Sequence, residues 1–219
     1  MAAKVLITGL PNSGKTSLIK DLDGVFVFSR DGKQYPFKNY HVNIPDFNDI
    51  KEVIDLCIEK VNTYKAKVGE LPKTIVFDSV SRLFTDIETC CNKKYSGFEV
   101  WKNVNKQVNI LVDFINQLVN NNINVVIIAH AVYDSESGTF TETCKGSFAK
   151  VGGFLSVVDY AIYIEIKGSK RVVNHRGKYL SRCLLPDIAD SQDANSFKLQ
   201  EYIDSINEVT NEVTEKWSI

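Results

Sequence analysis

A chain of 219 residues, 44% hydrophobic and 24% charged, is long enough for one core of ordinary size and is neither disordered nor fibrous. Its formal net charge of -1 argues against a protein that coats nucleic acid by bulk charge and leaves room only for a local basic patch. No stretch is apolar enough to span a bilayer, the start shows no signal-peptide charge pattern, and Cys57, Cys90, Cys91, Cys144 and Cys183 have neither C-x-x-C nor zinc spacing, so a cytoplasmic protein with reduced thiols and no membrane association is expected.

Along the chain, Lys4–Thr8 predicts a buried strand, and a helix is expected to run on through Ser17, Leu18, Ile19 and Lys20. Val25–Ser29 and Thr74–Asp78 predict two further strands. Between them, Asp49–Lys67 carries Ile50, Val53, Ile54, Cys57, Ile58 and Val61 near a helical period. Phe98–Asn120 repeats that pattern with Trp101, Val104, Val108, Leu111, Val112, Ile115, Leu118 and Val119. Asn124–His130 is a continuous apolar run, as a strand covered on both faces requires. Asp159–Lys167 alternates and is followed by the turn Gly168-Ser169, with Arg171–Asn174 and Lys178–Leu184 expected to continue as antiparallel strands. A last helix, roughly Ser196–Trp217, lines up Leu199, Ile203, Ile206, Val209, Val213 and Trp217. That stripe suits docking on the chain's own core or, alternatively, a partner. The alternation of strands and helices predicts one α/β domain over residues 1–219, with a mainly parallel central sheet flanked by helices and antiparallel strands near the C-terminus.

Gly9-Leu10-Pro11-Asn12-Ser13-Gly14-Lys15-Thr16 fits G-x-x-x-x-G-K-[ST] at every fixed position, with a strand before it and a helix after it. Glycines let the backbone curl so that several N–H groups face one anion. The residues expected around a triphosphate are Gly9, Pro11, Asn12, Ser13, Gly14, Lys15, Thr16 and Ser17, with Lys15 reaching the β- and γ-phosphates and the Thr16 hydroxyl on Mg²⁺. The hydrophobic run Thr74–Phe77 ends in Asp78, placed either to hold the hydrated Mg²⁺ or to cap the next segment. ATP and Mg²⁺ are therefore the expected cofactors.

The guanine signature Asn-Lys-x-Asp is absent, because Asn92-Lys93 and Asn105-Lys106 both lack the Asp. No compact arginine cluster forms a kinase lid. What remains resembles the RecA-type ATPases, in particular small phage-type RecA-core ATPases linked to recombination and single-strand annealing, over roughly Lys4 to Pro186. The resemblance implies a RecA-like P-loop fold in which the Asn124–Ala129 strand lies between the P-loop strand and the Asp78 strand, with His130 at its end as a γ-phosphate sensor. It implies that Asp31 orients the attacking water, although an Asp is one methylene shorter than the Glu of RecA and Asp31-Gly32 is also a favoured turn pair. It places a single-stranded-DNA loop within Thr139–Asp159, with Lys145, Phe148 and Lys150 offering charge and a stacking face. It implies a homo-oligomer in which Lys178 or Arg182, with Arg176 as a rival, completes a neighbour's site. The function expected on this basis is a Mg²⁺-dependent, DNA-dependent ATPase in the cytoplasm, that of a bacterial host if phage-encoded. A nucleotide or small-molecule kinase and a non-catalytic assembly or packaging factor remain alternatives.

Overall fold

The computed structural model describes residues 2–136, 138–178 and 180–217, with side chains as far as residue 212. Ten strands and five α-helices alternate along the described chain. Eight strands form one sheet in the order β10-β9-β8-β1-β5-β4-β2-β3. They are β1 (Lys4–Gly9), β2 (Val25–Ser29), β3 (Tyr40–Asn43), β4 (Thr74–Asp78), β5 (Asn124–Ile128), β8 (Tyr160–Lys167), β9 (Lys170–Asn174) and β10 (Ser191–Asp193). The six strands from β8 to β3 pair in parallel, whereas β9 is antiparallel to β8 and β10 to β9. The expected mainly parallel α/β sheet with antiparallel strands towards the C-terminus is therefore present, and β5 does lie between β1 and β4.

Two apolar layers explain the continuous hydrophobic runs. Side chains alternate across a strand. Leu6, Ile75, Phe77, Val125 and Ile127 point into a core shared with α1 (Ile50–Val68), α2 (Val80–Lys94) and α3 (Phe98–Asn120). Val5, Ile7, Val76, Val126 and Ile128 point to the opposite face, towards the short 3-10 helix Lys15–Asp21 and α5 (Leu199–Trp217). A strand between two such layers has no polar face to show.

α1 starts where Asp49 accepts a hydrogen bond from the Lys51 amide and stops at Gly69, in the left-handed region. α5 is docked on its own core, with Leu199, Ile203 and Ile206 buried and Val209 packed beside them; the side chains of Val213 and Trp217 lie outside the described residues. Lys178–Leu184, expected as a strand, makes only one bridge among its described residues, Arg182 to Ala161. The chain leaves β9 after Asn174 because the Arg176 guanidinium gathers the carbonyls of Cys183, Leu185 and Ile188 around itself. Thr139–Asp159 is structured: β6 (Ala131–Asp134) and β7 (Thr139–Glu142) form a hairpin, followed by α4 (Gly146–Lys150) and a 3-10 turn at Gly153–Val157. Among the described residues no helix is long and apolar enough to cross a membrane.

Candidate nucleotide-binding site

The register sets the carboxyl ends of the central strands side by side. Gly9 pairs with Ile164, Ser29 with Asp78, and Asp78 with Ile128. In open α/β sheets ligands bind at this end. The loop Gly9–Gly14 curls there because its glycines allow it. Gly14 has φ 101°, and a Cβ on Gly9 would lie 2.4 Å from the Ile164 carbonyl oxygen. The helix after the loop is a seven-residue 3-10 segment, Lys15–Asp21, not an α-helix, so the loop amides carry more of the anion-binding field than the helix dipole does. Lys15 is folded back onto the loop, its Nζ donating to the Gly9 and Leu10 carbonyls at 2.9 and 2.8 Å. Burial, then the nearby Lys33 ammonium, lowers its pKa to about 8. These are neutral acceptors, which an anion would outcompete for the ammonium.

Asp78 ends β4 with its side chain fully buried. Its Oδ2 accepts hydrogen bonds from the Thr16 hydroxyl at 3.0 Å and the Tyr35 hydroxyl at 3.1 Å. Its Oδ1 is buried without a hydrogen-bond partner. An unsatisfied buried carboxylate oxygen beside a hydroxyl is a hard, oxygen-only donor set, and it fits Mg²⁺. The Asp78–Ser79 peptide bond is cis.

Asp31 and His130 stand next to each other at this end of the sheet. Ser79, the N-cap of α2, donates to Asp31 Oδ1 at 3.1 Å, and His130 Nε2 lies 3.6 Å from Asp31 Oδ2. Ser81, two residues further on, accepts from the His130 backbone amide at 2.8 Å. The first turn of α2 thus holds both expected catalytic residues. Burial opposes charge on Asp31, but His130, Lys33 and Ser79 outweigh it and hold the carboxyl well below the usual carboxylate range. So acidic a group is a weak proton acceptor, and it suits orienting a water better than deprotonating one.

Residues 30–39 cross the mouth of the site as a strap. Arg30 anchors its start through Asp86 at 2.6 Å, Asp46 at 2.7 Å and the Ile44 carbonyl at 2.8 Å. Further on, Lys33 Nζ lies 2.6 Å from Asp31 Oδ2 and 3.8 Å from Asp78 Oδ1. Tyr35 reaches Asp78, and burial together with that carboxylate pushes its phenol far up. Sequence reasoning missed both residues; an aperiodic polar stretch after a strand carries no signal of where it folds.

The basic residues are redistributed. Arg171, on β9, lies against the phosphate loop, where a Cβ on Gly14 would meet its Cδ at 3.0 Å. Lys178 faces Glu165 at 3.7 Å, just past the β8 residue that pairs with Gly9. Arg182 bridges Ala161 and donates to the Val158 carbonyl at 3.0 Å, at the far end of β8, so it is turned away from its own chain's loop. Arg176 is taken up by the carbonyls it gathers. Within this chain Arg182 and Arg176 are thus both held by main-chain carbonyls.

Phe148 needs a correction. It is 6% exposed and packs between Phe84 and Phe154, so it offers no face to a base. Lys145 faces Glu88 at 3.3 Å, and Lys150 is exposed. The aromatic surface beside them comes from α3 instead. Phe98 is 82% exposed, and with Trp101, Lys102, Asn105, Ser147 and Lys150 it lines a cleft of about 540 Å³. Its signal is the i, i+3 pair Phe98 and Trp101, of which the helical pattern above uses only Trp101.

Residues 1–183 match the family described as AAA domain. No curated protein matches the chain.

Proposed function

The chain belongs to the AAA domain family of P-loop ATPases, with a RecA-like α/β fold, and from that premise we propose that it hydrolyses ATP with Mg²⁺ and couples this to single-stranded DNA. The observation that supports hydrolysis is the convergence of Lys15, Thr16, Asp31, Asp78 and His130 at one end of the sheet. When bound, Mg²⁺ would supply positive charge that neutralises the charge developing on the phosphates. Thr16 and Asp78 would hold it. The loop amides and Lys15 would position the triphosphate, with Arg171 as a further cation in cis. Asp31, held by Ser79, would orient the attacking water, and His130 would report the terminal phosphate to the β6–β7 hairpin, whose Thr143 amide and hydroxyl both donate to the His130 carbonyl at 3.2 Å.

The DNA reading is supported by the cleft at Phe98. An aromatic residue at 82% exposure beside a partly buried Trp101 presents ring faces, and Lys102, Lys106 and Lys150 lie exposed around them. Single strands are bound by this combination, whatever their sequence. The net charge of -1 agrees with one local site. The setting we propose is recombination or strand annealing of the phage type, by a homo-oligomer with Lys178 near the shared site.

The test is binding of an oligothymidylate by fluorescence anisotropy. Trp101→Ala should weaken binding by about 1–3 kcal/mol with the salt slope kept. Lys150→Ala should lower the slope of log affinity against log salt by about 0.7. Full affinity in both folded variants would remove the cleft from the account. An unmodified protein that ignores DNA but phosphorylates an added acceptor would favour a kinase.

A further inference from the structure

We propose that Lys33 is the resident counter-ion of the metal site: its ammonium stands between Asp31 and Asp78 in the metal-free protein and withdraws when a divalent cation takes its place. The inference rests on reading Asp78 and Thr16 as metal ligands and goes beyond it, because it concerns a residue of the strap.

Two carboxylates stand together here, Asp78 at the end of β4 and Asp31 two residues past the end of its neighbour β2, with side chains 0% and 13% exposed. Water screens them poorly, so a cation beside them offsets their mutual repulsion. The other nearby cations are committed elsewhere. Lys15 donates to the Gly9 and Leu10 carbonyls, and Arg30 is held by Asp86 and Asp46. Among the described residues, Lys33 is the one Lys or Arg within ion-pair distance of Asp78. It faces the Oδ1 oxygen that has no hydrogen bond, the position a metal ion would use.

The strap suits release. Arg30 fixes it at one end and the Tyr35 hydroxyl pins it to Asp78 Oδ2, while the Lys33 side chain between them is 40% exposed. The ammonium can therefore turn into water without unfolding anything. A divalent cation at Asp78 and an ammonium within 4 Å of the same oxygen repel, so the two exclude each other. Bare metal must displace Lys33 and leave it unpaired. A triphosphate brings negative charge that receives the displaced ammonium. Metal and nucleotide are thus coupled through Lys33, each tightening the other.

The test titrates Mn²⁺ alone into the nucleotide-free protein and reads free Mn²⁺ by electron paramagnetic resonance, with folding checked by circular dichroism. Lys33→Met should tighten Mn²⁺ by about tenfold, since each of two ion pairs of this exposure is worth up to about fivefold. Lys33→Arg should restore the wild-type value, and the factor by which ATP tightens Mn²⁺ should shrink in Lys33→Met. Unchanged Mn²⁺ affinity in Lys33→Met overturns the proposal. So does equal tightening in Lys38→Met, which would make the effect one of overall charge. If instead Mn²⁺ binds Asp78→Asn as well as wild type, it is the reading of Asp78 as a ligand that fails, and the proposal falls with it.

Discussion

Replacing Asp78 by Asn separates the metal role from the structural one. The amide keeps the shape of a side chain that is fully buried and accepts from Thr16 and Tyr35. Losing charge weakens those two hydrogen bonds, but it also removes a buried anion whose Oδ1 has no hydrogen-bond partner. The two effects oppose, so the nucleotide-free protein should change by no more than about 1 kcal/mol, or about 4 °C in Tm for a chain of this size. The liganded protein should differ sharply. At a hundredfold excess over Kd, MgATP stabilises the wild type by about 2.7 kcal/mol, which is about 5–10 °C. In Asp78→Asn that shift should shrink to the value given by ATP with EDTA. Differential scanning fluorimetry with ATP, with MgATP and with neither reads all three terms. A full MgATP shift in the variant would refute the metal role and leave Asp78 as a cap.

Two further substitutions test the corrected aromatic assignment, and a third tests a buried histidine. Phe148→Ala should cost about 3–5 kcal/mol in urea unfolding, because it empties a buried aromatic site, whereas Phe98→Ala should stay within about 0.5 kcal/mol; near-wild-type stability of Phe148→Ala would return that residue to the surface. His175 is buried against Phe197 and Tyr202, and burial, then the Arg176 charge, lowers its pKa from 6.5 to about 4. Below pH 6.5 the unfolded chain takes a proton that the folded one refuses, so stability should fall from pH 6.5 to 4 by at most about 3 kcal/mol. His175→Gln should flatten that part of the pH profile, and an unchanged slope would contradict the assignment.

The sheet was legible because its central strands are covered on both faces: Val25–Ser29 and Thr74–Asp78 begin and end where the apolar runs do. The place of β5 between β1 and β4 came from the resemblance, not from any pattern in the chain. The signal for α2 was present and unused, since Ser79 caps it and Val80, Leu83, Phe84, Ile87 and Cys91 recur at helical spacing and are buried. β3 is an exposed edge strand without alternation, so nothing in Tyr40–Asn43 announces it. At the site, the phosphate loop and Asp78 were readable from local sequence. Tyr35 and Lys33 were not, because the strap folds over Asp78 only through contacts 43 to 45 residues away in the chain. Phe148 between two lysines reads as surface, and only Phe84 and Phe154 make it core.

Phosphate release from MgATP, with and without an oligothymidylate, tests the central claim most directly, with Lys15→Ala as the reference for an empty site. The Lys15 ammonium donates to loop carbonyls, so the variant should fold and lose turnover. The account predicts turnover in the wild type that depends on Lys15 and rises several-fold when DNA is added. Equal rates with and without DNA would contradict the coupling, and undiminished turnover in Lys15→Ala would contradict the site itself.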